Sequence, residues 1–252
     1  MKEVSKRLGH SPKRREILKL AQQCYKYFNS FNKAKQEAGL VIKNVRVTNF
    51  PKNAFKIDKD LARIASYLTF DGYLYKDLSG MMYSSKNLND LKAFEKIINK
   101  KFGLKGIYHL NSAGIKKTTH KIYVFNKKVS EKLFELGIPK GDKVIQKFNV
   151  PEWVSSSREF SREYLRIAYL CEGCNKEESG RTPRIQINIA KSEDILGSGL
   201  EFMNTLKTML KNFDINTTKC YISGNRLRKT DDKISKDIRF RIDMGQRIYL
   251  AF

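Results

Sequence analysis

Long apolar runs are missing from this sequence. No stretch reaches the roughly 18 residues that a membrane-spanning helix needs, and the first residues lack the apolar core of a secretory leader. Cysteine is scarce. Cys24, Cys171, Cys174 and Cys220 are too few and too unevenly placed for a disulfide framework, which points to a reducing, intracellular setting, cytoplasmic or nucleoid-associated, and not to a secreted protein. Cys171 and Cys174 form a lone C-x-x-C with no second pair and no histidine at ligand spacing, so structural zinc is not expected. The three histidines, His10, His109 and His120, are out of register for a histidine-based nuclease site. Acidic residues are also few: 26 against 50 Lys and Arg, a net charge of +24 spread along the chain. A polyanion is the expected partner. No segment sets a lysine face against a Trp or Phe face, so nucleic acid is favoured over a membrane surface.

Three regions are expected: 1–42, 43–150 and 151–252. The first carries ten basic and three acidic residues and reads as two short helices separated by Tyr25, Tyr27, Phe28 and Phe31. Ser11-Pro12 predicts a helix start and Gly39 a helix end. Phe28, Phe31 and Leu40 are its expected core. Beyond residue 58 one pattern occurs twice. The first copy has an apolar helix from Leu61 to Phe70, then Asp71-Gly72, alternation at Tyr73, Leu74 and Tyr75, Ser85-Lys86-Asn87, and a helix with Leu88, Leu91, Phe94, Ile97 and Ile98 on one face. The second has a helix from Tyr164 to Cys171, then Glu172-Gly173. A strand with Ile185, Ile187 and Ile189 on one face follows, then Ala190-Lys191-Ser192-Glu193 and a helix bearing Phe202, Met203, Leu206, Met209, Leu210 and Phe213. Between the copies lies a turn-rich break, Leu136 to Gly141, and a stretch expected to be extended, Phe148 to Val154.

The segments Ile64-Ala65-Ser66-Tyr67-Leu68-Thr69-Phe70-Asp71-Gly72 and Leu165-Arg166-Ile167-Ala168-Tyr169-Leu170-Cys171-Glu172-Gly173 resemble the two motif helices of single-chain LAGLIDADG homing endonucleases. The stretch from Leu136 through Lys143 to Pro151-Glu152-Trp153-Val154 and the strand ending Ala190-Lys191-Ser192-Glu193 are similar to the same family, over roughly residues 58 to 222. Leu8-Gly9-His10-Ser11-Pro12, with Phe28 to Ala34 and Ala38-Gly39-Leu40, resembles a helical DNA-binding repeat found beside such domains.

The resemblance implies an α+β fold: two pseudo-symmetric αββαββα halves with saddle-shaped antiparallel sheets, preceded by a small helical unit. It implies a site-specific endonuclease that breaks both strands of a long asymmetric DNA site by divalent-metal-dependent hydrolysis, a monomer associated with intron or intein mobility. Asp71 and Glu172 would be catalytic acids and ligands of Mg2+ or another divalent cation. Lys86 and Lys191 would stand near the phosphates. An acid at the negative end of a helix dipole is unfavourable, so two of them suggest a cation nearby. Double-stranded DNA would be held by Lys13, Arg14, Arg15 and Lys33 in the repeat, by Tyr73, Tyr75 and Lys76 in the first half, and by Arg184, Gln186, Asn188, Arg226, Arg228, Arg239 and Arg241 in the second. Two alternatives stay open. One is a DNA-binding descendant that no longer cuts, because Phe70, Ile167 and Cys171 stand where tightly packed helices usually carry small residues. The other is a maturase whose partner is intron RNA.

Overall fold

Five helices begin where a polar side chain accepts a free backbone N–H. Ser30, Asp58, Asn87, Asn126 and Ser157 accept from Lys33, Leu61, Asn89, Val129 and Phe160 at 2.9 to 3.4 Å. The computed structural model describes residues 1–12, 14–40, 50–113, 118–176 and 184–242, and the chain divides into two compact units, Met1–Asn49 and Phe50–Phe252.

The first unit holds α1 (Lys2–Leu8), a 3-10 turn at Arg14–Glu16, α2 (Leu18–Phe28) and α3 (Phe31–Glu37). Ala21, Cys24, Phe31 and Ala34 form its small core. The helix expected from Ser11-Pro12 starts only at Leu18, because the chain first closes the 3-10 turn and Ile17 takes the cap position. Tyr25, Tyr27 and Phe28 lie inside α2 and do not separate two helices; Phe28 is 39% exposed. Gly39, with φ +65°, follows α3 in the left-handed conformation that ends helices.

The second unit repeats one arrangement. Its first half contains α4 (Lys59–Thr69), β1 (Gly72–Leu74), β2 (Met81–Ser85), α5 (Leu88–Phe102), β3 (Ile107–Ala113), β4 (Thr119–Val124) and α6 (Lys127–Glu135). A short α7 (Glu152–Ser155) precedes the second half: α8 (Arg158–Glu172), β5 (Cys174–Lys176), β6 (Arg184–Ser192), α9 (Leu196–Lys211), β7 (Tyr221–Leu227) and β8 (Ile234–Ile242). The sheets run β1-β2-β4-β3 and β5-β6-β8-β7, antiparallel throughout and equivalent in order. The fold is therefore α+β and internally duplicated. The final helix expected of the second half lies outside the described residues. Phe148 to Val154 is not extended to its end: Pro151 caps the turn of α7, which buries Val154. Among the described residues no helix is long and apolar enough to cross a membrane.

Nine of the eleven residues of α4 are buried, so this helix is enclosed and not laid on a surface. Its closest partner is α8. Lys59 pairs with Glu159 at 2.6 Å, Arg63 Nε with Glu163 at 2.6 Å, and Ser66 Oγ donates to the Tyr164 carbonyl at 2.7 Å. Contacts that advance together along both helices mean that the two run parallel. Their C-terminal ends, and the acids there, arrive side by side.

Both glycines that follow the acids are required by space and not by backbone freedom. A Cβ on Gly72 would stand 2.7 Å from the Met82 carbonyl oxygen and 2.9 Å from that of Tyr67, and one on Gly173 would stand 2.2 Å from that of Tyr169. Neither glycine has a positive φ. Gly72→Ala and Gly173→Ala are each expected to cost about 2 kcal/mol, read as a lower denaturant midpoint at unchanged m-value; a neutral alanine at either position would contradict this packing.

Candidate active site

Asp71 stands between the end of α4 and the start of β1, and Glu172 is the last residue of α8. The large residues beside them do not hold the helices apart. Phe70 turns toward the rings of Tyr164 and Phe202, at 5.9 and 6.0 Å, while Ile167 is buried at 5% exposure. The Cys171 side chain adjoins Asp71 and works against the rise of that acid. Burial pushes that thiol far up, so it stays protonated near neutral pH.

Burial also raises both acids. Asp71 moves up from its ordinary value, and Glu172 moves from 4.5 to about 7, first through desolvation and then through repulsion by Asp71. Lys143 opposes both shifts. Its Nζ donates to the carbonyls of Thr69 and Gly72 at 2.7 Å and to that of Phe70, closing the C-terminal end of α4. Burial lowers Lys143 to about 8, against the pull of Glu172 and Asp71, so it is mostly charged at pH 7. Lys143 thus sets one positive charge of the chain's own beside the two acids.

Lys143 carries no local signal in the sequence: it lies in an irregular segment 72 positions after Asp71, where no periodicity marks it. Lys191 is turned inward, 1% exposed. It donates to the carbonyls of Lys143 and Gln146 at 2.7 and 2.6 Å and lies 3.7 Å over the Phe148 ring. In this position it fixes the main chain that carries Lys143. Lys86, just beyond β2, is exposed and is not among the charges that shift either acid.

The donor set suits a hard divalent cation. Two ionisable carboxylates repel each other, with no histidine beside them and a thiol that keeps its proton. Asp71 and Glu172 are the residues that could hold such a cation. A pH dependence follows. Because folding raises Glu172 from 4.5 to about 7, ionising it opposes folding, and its contribution to stability falls as pH rises through that window. The rise in Tm on adding magnesium should be larger at pH 8 than at pH 6, and Glu172→Gln should raise metal-free Tm at pH 8 by about 5 °C. Equal magnesium effects at both pH values would contradict the coupling.

The other predicted contacts are scattered. Lys13 lies outside the described residues, as do the side chains of Arg15 and Arg184. Arg14 stacks on Tyr25 at 5.2 Å, and Lys33 is exposed. Tyr73 and Tyr75 are half-buried, and Lys76 is exposed. On the second sheet Gln186 faces Arg241 and Asn188 faces Arg239 across β6 and β8. Buried Asp237, unmarked by the sequence reading, clamps Arg226 and Arg239, the latter at 2.6 Å, and its charge reaches Glu172. Arg228 is tied to Asp142 and Asp231 at 2.5 and 2.8 Å. The buried Nε of Arg241 has no hydrogen-bond partner among the described residues.

No family model matches the sequence. Among curated proteins, 182 residues, 68% of the chain, are 28% identical to part of a replication factor C small subunit of Methanocaldococcus jannaschii, covering 10% of that protein. A further 26% identity over 171 residues, 63% of the chain, is found with a tRNA-splicing ligase RtcB of Methanopyrus kandleri, covering 17% of it. The chain thus spans a small fraction of the curated relatives it matches. Solved structures similar to it include variants of the homing endonuclease I-DmoI, at TM-score 0.48 and 15% identity over 78% of this chain and 87% of that one. I-DmoI in complex with DNA and Mn aligns at TM-score 0.46 and 14% identity over 75% and 92% of the two chains. The N-terminal LAGLIDADG domain of WhiA aligns at TM-score 0.45 and 13% identity over 79% and 80%.

Proposed function

We propose that this protein is a site-specific DNA endonuclease that breaks both strands of a long asymmetric duplex by divalent-metal-dependent phosphodiester hydrolysis. The observation that carries the reading is the convergence of Asp71 and Glu172 at the adjacent ends of two parallel helices, where burial first and then the charge of Asp71 raise Glu172. A divalent cation held there lowers the pKa of an attacking water and stabilises the leaving oxygen. The chain's residues do the rest. Asp71 and Glu172 hold the metal, each half supplying one acid. Lys143 holds the end of α4 in shape and places positive charge beside the acids, where a phosphate gathers negative charge. Lys191 keeps the Lys143 backbone in position.

The basic charge and the polar face of β6 and β8 support duplex binding, with Gln186, Asn188, Arg239 and Arg241 as the side chains proposed for base edges or phosphates. The unit Met1–Asn49 would extend the recognised site through Arg14 and Lys33. Similar segments inside two proteins with unrelated names, 10% and 17% of each, support a module that is carried within larger hosts. One observation favours a second reading, binding without cutting: Lys143 already places a positive charge beside the two acids at the end of α4. Incubating the purified protein with a randomised duplex library, with and without magnesium, separates the readings. Magnesium-dependent cuts at one long sequence support the enzyme, whereas retention of one sequence uncut supports the binder.

A further inference from the structure

The two sheets present different chemistry on their outer faces. In the second, cross-strand partners are amides and guanidiniums: Gln186 with Arg241 and Asn188 with Arg239. In the first, Tyr73 pairs with Met82, Met82 with Tyr123 and Tyr123 with Ile107, so one row across β1, β2, β4 and β3 is aromatic or aliphatic throughout. Tyr75 and Phe125 extend the row. Tyr75 stacks on Phe125 at 5.9 Å, and Tyr123 on Phe125 at 6.3 Å. Phe125 and Ile107 are 56% and 55% exposed. An exposed apolar patch of this kind calls for a partner.

Charge selects the partner. Lys121, facing Ser84 on one side and His109 on the other, shares this face, Lys76 is exposed next to Tyr75, and the chain carries +24. Basic side chains around an apolar row suit a polyanion that also offers apolar atoms. Duplex DNA does so at one place in the major groove, the C5-methyl of thymine. The row has no guanidinium or carboxamide to form the bidentate hydrogen bonds that identify guanine or adenine.

We propose that this face reads thymine methyl groups, so that the half-site it covers is thymine-rich, while the half-site under β6 and β8 is read by hydrogen bonds. The inference rests on the duplex-reading function proposed above and names how one half of its target is recognised.

The test replaces thymine by deoxyuridine, which removes the methyl and leaves base pairing unchanged, in one half at a time of the duplex selected from the randomised library. In the half read by the aromatic row, each methyl removed should weaken binding about fourfold. The other half should be insensitive, and Phe125→Ser, an exposed position, should reduce the sensitivity of the first. Equal insensitivity of both halves, or Phe125→Ser leaving the deoxyuridine effect intact, would overturn the proposal while leaving duplex recognition standing. Preference for unpaired strands, with the rings stacking on base faces, would overturn it too. If no duplex is selected at all, the underlying functional reading fails with it.

Discussion

Asp71→Asn and Glu172→Gln are each expected to lower the rate of cutting of the selected duplex by at least about a thousandfold while leaving its Kd within about twofold. Each change keeps the shape of the side chain and removes the charge that holds the metal. Binding is spared because the proposed duplex contacts lie on the sheets and not at the helix ends. The two variants should differ in detail. Glu172 is raised to about 7 by burial and then by the repulsion of Asp71. Asp71→Asn should therefore bring Glu172 down, and the metal-free protein should become less sensitive to pH between about 5 and 8. Single-turnover cutting, equilibrium binding and thermal melts across that range check all of this. An acid variant that cuts at the normal rate would remove its residue from the mechanism.

Lys143→Met is expected to cost about 3 kcal/mol, because it leaves buried carbonyls at the end of α4 without a donor and two acids without their nearest positive charge. For a unit of about 200 residues, that is a fall in Tm of roughly 6 to 12 °C. Cutting by the fraction that remains folded should fall about a hundredfold or more. Lys191→Met offers a contrast. Its amine touches the carbonyls of Lys143 and Gln146, not the acids, so it should lose stability while its pH–rate profile keeps the wild-type midpoint; Lys143→Met should shift that midpoint upward, because the acids lose their counter-charge. Melts and pH–rate profiles of both variants, measured below their Tm, check the distinction. Identical profiles for the two lysine variants would contradict separate roles.

Most of the architecture could be read before the structure, because it depends on local periodicity and on a pattern written twice. The helices around Leu61 to Phe70 and Leu88 to Ile98, the alternation at Ile185, Ile187 and Ile189, and the paired acid-glycine ends all lie within short windows. Lys143 depended on chain closure over many residues, which no window contains. The parity of Lys191 was available: it shares its phase with Ile187 and Ile189, and β6 therefore turns it to the inner face. Its likeness to Lys86 as a strand-end lysine concealed that. Nothing local in the sequence tells why Gly72 and Gly173 must be glycine: crowding by the carbonyls of Tyr67 and Tyr169 demands them. The aromatic row was half visible in Tyr73 and Tyr75, but Tyr123, Phe125 and Ile107 join it only through the register of β2, β4 and β3.

The most direct measurement of the central claim counts bound metal and does not depend on turnover. Electron paramagnetic resonance can titrate free Mn2+ in the presence of the protein bound to its selected duplex, at pH 8, comparing the wild type with the Asp71→Asn, Glu172→Gln double variant. The account predicts Mn2+ bound by the wild-type complex and lost from the double variant, although both hold the duplex. Equal Mn2+ binding by the two complexes would contradict it, and would leave the converging acids without a metal to hold.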